Sequence, residues 1–262
     1  MLLRVTYLLF ALLLSLSACA PVSQVEDQPV TSHAQVNPQQ AEVHYKLALA
    51  YLKGNDPTSA LKELQIAASQ DPNNAAIQIA LGQTYQQKKA YRLAERHYLR
   101  ALTLSNDDPR YQNNIASLYL DLQEWDKAIE YFDKAAQNLL FHNPHVALSG
   151  EAFAYYKKGD YEKALELYRE VLALVPRYVP AYYYQSEVYR ALKQPAAEKA
   201  TLLRAVDISP SFLQARYRLA EILYEEDDIE GVREQLKVIL DMSPTSDLGM
   251  KANDFMRQLP GS

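Results

Sequence analysis

AEVHYKLALAYLKGNDPTSALKELQIAASQDPNN, residues 41–74, decides the fold. Gly54-Asn55 marks a turn between two helical runs, and Asp71-Pro72-Asn73-Asn74 closes the unit. The small residues Ala48 and Ala60 let two antiparallel helices approach, while Leu47, Tyr51 and Leu64 fill the space between them. Pro72 cannot continue a helix, so it fixes the turn into the next unit. One such hairpin cannot bury its apolar face alone and needs a neighbour to complete its core.

The neighbours come with a period of 34 residues. Residues 75–108 carry Leu81-Gly82, Tyr85, Ala94, Tyr98 and Ala101 at the matching places, and residues 109–142 carry Ile115-Ala116, Tyr119, Ala128, Phe132 and Ala135. Asn143-Pro144 is then a two-residue insertion. Residues 145–178 resume with Ala152, Tyr155, Gly159-Asp160-Tyr161, Ala164, Tyr168 and Pro176. Residues 179–212 keep Ser186, Tyr189, Ala205 and Pro210, and residues 213–246 keep Leu219-Ala220, Leu223, Leu236 and Pro244. In the remaining segment, 247–262, Asp247 to about Leu259 has helical spacing and would cap the open end. The pattern resembles the tetratricopeptide repeat. The expected fold is therefore all-α: a right-handed superhelix of six such repeats with a C-terminal capping helix.

Three residues break the pattern. Glu151 and Gln185 occupy core leucine positions of the fourth and fifth repeats, and Glu198 stands where the fifth should have alanine. Burying an unpaired carboxylate is costly. Such groups must pair, lean to the surface or mark a local shift of register; a shift or partial exposure is the expected resolution, which would make the junction of repeats four and five a looser seam.

In this architecture the first helix of each repeat lines the concave face through its second, fifth, ninth and twelfth positions. Those positions place Tyr45, Leu49, Ile79, Asn113, Phe153, Tyr156, Tyr183, Tyr217 and Tyr224 along one groove. Such a stripe marks a protein-binding surface, and tyrosine supplies large contact area with a hydrogen-bonding tip. An extended or helical peptide segment is the expected ligand; the alternative for any one tyrosine is packing between neighbouring helices. Some tetratricopeptide proteins clamp a C-terminal carboxylate with lysines and asparagines. Here Tyr45 and Leu49 stand at two of those places, which argues against that mode.

The N-terminus reads differently. A basic start at Arg4, an apolar run from Val5 to Leu16 and small residues before Cys19 make residues 1–18 a secretion signal. Cys19 is the only cysteine, so it forms no internal disulfide. Leu16-Ser17-Ala18-Cys19 resembles the lipobox of bacterial lipoproteins, which implies acylation of Cys19 and cleavage before it. Residues 19–40 read as a lipidated flexible tether. Ala20, in place of the aspartate that holds such proteins at the inner membrane, implies the outer membrane, with the body in the periplasm.

The chain carries a net charge of −5 and no dense Lys/Arg stripe, which excludes nucleic acid as the expected partner. His142 and His145 lack further ligands nearby in sequence, so no metal site is expected. There is no phosphate-binding glycine loop and no nucleophile elbow. The reading is a non-enzymatic scaffold with no cofactor and no small-molecule substrate.

Several features together resemble the type IV pilus biogenesis/stability lipoproteins, the PilF/PilW group of secretin pilotins. They are the lipobox, the short tether, Val36-Asn37-Pro38, the six repeats and the C-terminal helix. More specific are Asn113-Asn114, Trp125-Asp126-Lys127-Ala128, the lengthened connection Leu139-Leu140-Phe141-His142-Asn143-Pro144, and Lys158-Gly159-Asp160-Tyr161. Where that family has Glu-Asn early in the fourth repeat, this chain has Ser149-Gly150. The resemblance implies a role in localising and multimerising an outer-membrane secretin, one of whose segments the groove, especially in the early repeats, would hold. The same fold and anchor also fit an envelope scaffold for peptidoglycan enzymes, exopolysaccharide export or outer-membrane protein assembly.

Overall fold

Asn37 opens the first helix: its side-chain oxygen accepts from the Gln40 N–H (3.2 Å), and Pro38 takes the first helical position, where a missing N–H is harmless. Residues 38–40, expected in the tether, are therefore helical. The structure, a computed structural model, describes residues 36–260. The signal segment, Cys19 and the tether up to residue 35 lie outside the described residues.

Among the described residues there are thirteen helices and no strand. α1 (Pro38–Lys53) and α2 (Pro57–Gln70) form the first hairpin, α3 (Ala75–Gln87) and α4 (Tyr91–Ser105) the second. α5 (Pro109–Asp121) pairs with α6 (Trp125–Gln137), and α7 (Pro144–Lys158) with α8 (Tyr161–Leu174). α9 (Val179–Ala191), α10 (Pro195–Ile208), α11 (Leu213–Glu225) and α12 (Ile229–Met242) make the last two hairpins, and α13 (Asp247–Gln258) closes the stack.

Each hairpin turns the same way. One residue per turn is left-handed: Asn55, Lys89, Gln123, Gly159, Lys193 and Asp227, with φ between 56° and 89°. The next N–H then bonds a carbonyl near the end of the first helix, as in Asp56 to Tyr51 (2.9 Å), Ala90 to Tyr85 (2.8 Å) and Gln194 to Tyr189 (2.9 Å). Only the fourth turn places glycine at this left-handed position.

The buried interior repeats with the turns. Leu64, Tyr98, Phe132, Tyr168, Leu202 and Leu236, one per repeat, are all buried, each contributing about 1.5–3 kcal/mol. Two glycines set how closely helices approach. A Cβ on Gly82 would lie 2.6 Å from the Tyr98 ring, and one on Gly150 would lie 2.4 Å from the Phe132 ring. Leu47, expected in the core, is exposed, because no repeat precedes α1 among the described residues to cover it. The equivalent Leu81, Ile115 and Leu219 are buried by the repeat before them.

The three pattern-breaking residues are also buried, contrary to the expected register shift or partial exposure: Glu151 is 6% exposed, Gln185 7% and Glu198 3%. α7, α9 and α10 run through these positions as unbroken helices, so the polar groups are carried inside. Glu198 is answered by Arg218 of the next repeat, whose Nε lies 2.6 Å from its Oε1. Glu151 has no such cation against it; burial first, then the nearby Asp133, pushes its carboxyl up to about 7. The apolar interior is continuous across the junction where the looser seam is expected. One apolar cluster runs from Leu148 through Tyr168 to Val188, across the junction of repeats four and five, and α7 touches α9. A separate cluster, Leu202 to Ile222, begins inside repeat five, and no comparable contact joins α9 to α11.

Candidate functional site

The inner face of the stack is set by which helices meet. α1 touches α3, α3 touches α5, α5 touches α7, α7 touches α9, and α11 touches α13, whereas successive second helices make no such contact. The first helices therefore sit inside the curve. Their solvent-facing side chains form the groove.

Its two halves differ. In repeats one to three, Tyr45 is half-buried against the first core cluster and Leu49 is exposed. Ile79, expected in the groove, is instead 7% exposed and packs in the core. The remaining positions of this half mix the half-buried Leu52 and Leu120 with polar groups. Gln86 accepts from the Tyr98 hydroxyl (2.8 Å) and donates to Asp121 (2.7 Å), and Asn113 keeps a buried Oδ1 without a hydrogen-bond partner.

From repeat four onward the groove is aromatic. Phe153 lies 6.1 Å from Tyr156 and 5.1 Å, edge-on, from Tyr184; Tyr184 meets Tyr183 at 5.4 Å, and Tyr183 meets Phe212 at 5.3 Å. These are favourable ring geometries, so the rings hold one another in place. The Lys157 ammonium sits over both Phe153 (5.5 Å) and Tyr156 (5.6 Å). Beside them Arg190 holds Glu187 at 2.5 Å. Burial, reinforced by Glu187, raises the pKa of Tyr156 and of Tyr183; burial, then Glu221 and Asp254, does the same for Tyr217. The hydroxyls thus stay protonated and can donate to a ligand.

The sequence reading missed part of this face. Tyr217 and the exposed Tyr224 both meet Phe255 of α13, at 6.2 and 5.4 Å. A cleft of about 340 Å³ there is lined by Tyr217, Glu221, Lys251, Asp254, Phe255 and Gln258. The capping helix thus extends the groove. Counting the same fifth, ninth and twelfth positions from Asp247 gives Lys251, Phe255 and Gln258, so the signal was present. Tyr184 comes directly after a predicted groove residue and was not itself counted.

Three of the histidines have structural surroundings. His44 Nδ1 lies 2.6 Å from Glu63, His97 stacks on Tyr85 at 5.3 Å, and His145 meets Tyr178 edge-on at 5.1 Å. No group of three or more His, Cys, Asp or Glu gathers as metal ligands among the described residues.

Two family models, each described as tetratricopeptide repeat, match the chain, one over residues 108–177 and the other over 45–109 and 150–212. The chain is 28% identical over 142 residues to the type IV pilus assembly protein PilF of Pseudomonas aeruginosa. That alignment covers 53% of this chain and 56% of PilF, about half of each. The crystal structure of PilW, described as a widely conserved type IV pilus biogenesis factor, superposes with a TM-score of 0.72 at 19% identity, covering 83% of this chain and all of that one. The solved Pseudomonas aeruginosa PilF superposes with a TM-score of 0.66 at 15% identity, covering 82% and 97%. At these identities the superpositions establish a shared fold.

Proposed function

The chain belongs to the tetratricopeptide-repeat family, and from that premise we propose that it is a lipid-anchored scaffold for type IV pilus biogenesis, acting as a pilotin that binds a secretin segment in its groove. The observation that carries protein binding is the run of mutually packed aromatic rings from Phe153 to Phe212, continued by Tyr217, Tyr224 and Phe255. Pre-ordered rings lose little entropy when a peptide covers them. Similarity to PilF and to the PilW fold supports the pilus assignment.

In this reading Cys19 is acylated and holds the protein at the periplasmic face of the outer membrane, and the tether lets the body reach its partner. Two or more acyl chains on one residue suffice for stable anchoring, at about 0.8 kcal/mol per buried methylene. The groove binds and orients; the protein contributes no reaction chemistry.

The test is a crosslinked pull-down of the lipidated protein from native membranes, with partners identified by mass spectrometry and Cys19→Ala as control. Recovery of a secretin, with its assembly lost in the control, is the expected result. Recovery of peptidoglycan enzymes or polysaccharide-export proteins without secretin would replace the pilus assignment with a different envelope assembly.

A further inference from the structure

The connection between α6 and α7, residues 138–143, is longer than the other inter-repeat connections, and its extra length lifts two leucines off the body. Leu139 is 100% exposed and Leu140 81%. No charged residue occurs from Gln137 to Pro144. The tip satisfies much of its own backbone: Leu140 N–H donates to the Asn138 side-chain oxygen (2.9 Å) and Phe141 N–H to the Asn138 carbonyl (2.9 Å). An apolar, uncharged tip with internally bonded amides enters a lipid interface without carrying a charge or these donors out of water unpaired.

Its place in the fold identifies what it meets. Every first helix begins, and every second helix ends, at one edge of the stack, so the tip and the start of α1 share that edge. The segment leading back to Cys19 leaves from residue 36. About seventeen residues separate the two, a reach of roughly 60 Å when extended. The same edge carries the exposed Val36, Leu174 and Met242. The opposite edge carries turns rich in charge, among them Lys88-Lys89, Lys193 and Glu226-Asp227-Asp228. Beside the tip, Arg110 neutralises Asp108 (2.6 Å), and Asp107 limits how deep the loop can sit.

We propose that Leu139 and Leu140 form a second membrane contact, inserting into the phospholipid surface to which acylated Cys19 tethers the chain. This rests on the lipid-anchor reading of Cys19. One anchor on a long tether leaves the body's orientation free; a second contact sets the edge against the bilayer and stands the helices away from it, with the groove opening along the membrane.

Because acylation consumes the only native thiol, Leu139→Cys, Leu140→Cys and Lys193→Cys each offer one free thiol for an environment-sensitive fluorophore. The lipidated variants are reconstituted into phosphatidylethanolamine/phosphatidylglycerol vesicles containing acyl-chain-brominated lipid. Several-fold stronger quenching at 139 and 140 than at 193, with protection from aqueous iodide, is the expected result. Flotation with the vesicles but equal quenching at all three sites, with iodide reaching 139 freely, overturns the tip contact alone and leaves the leucines to a protein partner. Failure to float, with Cys19 still reactive to the label, overturns the anchor reading and the tip contact together.

Discussion

The Arg218 guanidinium reaches back from the sixth repeat to the buried carboxylate of Glu198 in the fifth, Nε to Oε1 at 2.6 Å, and holds Glu221 through Nη1 at 2.9 Å. Burial opposes the arginine's charge, but the two carboxylates raise its pKa and keep it ionised. The pair joins α10 to α11 where the inner-face contact between α9 and α11 is weakest.

Removing either partner has unequal consequences. Arg218→Met leaves Glu198 buried without a cation and is expected to cost about 3–5 kcal/mol. Glu198→Ala costs less, because Arg218 keeps Glu221 and alanine is what the first four repeats carry at this place: Ala60, Ala94, Ala128 and Ala164. Combining the two substitutions restores most of the loss. Urea unfolding of the single and double variants measures the difference; equal costs for the two singles would show that the pair is not the reason for the burial.

Glu151 predicts a pH dependence. Its folded pKa, about 7, lies above its ordinary value of 4.5, so folding favours the protonated form. The group has no destabilising effect below about pH 4.5, destabilises increasingly as pH rises toward 7, and stays at full effect above that. The span corresponds to about 3 kcal/mol at most. Asp133 from α6 and Glu166 and Glu170 from α8 raise the pKa, and Lys163 opposes them. Glu151→Gln should raise the melting temperature at pH 8 and leave it nearly unchanged at pH 4.5. A uniform shift at both values would rule out the titration as the cause.

The repeat period was legible because it is written in small residues. Ala60, Ala94, Ala128 and Ala164 are fully buried between packed helices, and a small residue recurs there through the first four repeats. The partner of Glu198 was not legible, since Arg218 lies twenty residues on, in another hairpin, on no repeating position. Leu47 matched the pattern yet is exposed, because a pattern position is buried only when a preceding repeat exists to bury it. In the groove, Ile79 met the same spacing rule as Phe153, but the neighbouring repeats close over it. Spacing assigns a residue to a face; the packing of the neighbouring repeats decides whether that face stays open.

Gly150 tests close packing directly. A methyl group there would lie 2.4 Å from the Phe132 ring, so Gly150→Ala should destabilise by about 1–3 kcal/mol despite alanine's better helix propensity. Gly54→Ala is the contrasting case, with nothing nearer than 3.5 Å and negative φ, and should be neutral or slightly stabilising. Denaturant midpoints for the two variants separate contact from propensity. Shortening the ring with Phe132→Leu in the Gly150→Ala background should recover part of the loss.

The last prediction concerns which half of the groove holds the partner. Resemblance to the pilus lipoproteins pointed to the early repeats, whereas the packed rings lie in the later ones, from Phe153 to Phe255. The early half has no such run of rings: Tyr45, the exposed Leu49 and the half-buried Leu52 and Leu120 stand beside the polar Gln86 and Asn113. A desolvated aromatic anchor is worth about 2 kcal/mol or more at an interface, roughly a 30-fold change in affinity. Tyr183→Ala should therefore reduce partner recovery by crosslinking far more than Leu49→Ser does. Tyr183→Phe keeps the rings packed and removes only the hydroxyl, so a smaller loss there would assign the larger part of the binding to the ring. Melting temperatures measured alongside distinguish lost contact from lost fold. If Leu49→Ser alone abolishes recovery while Tyr183→Ala binds normally, the aromatic half packs the stack and the early half is the binding site.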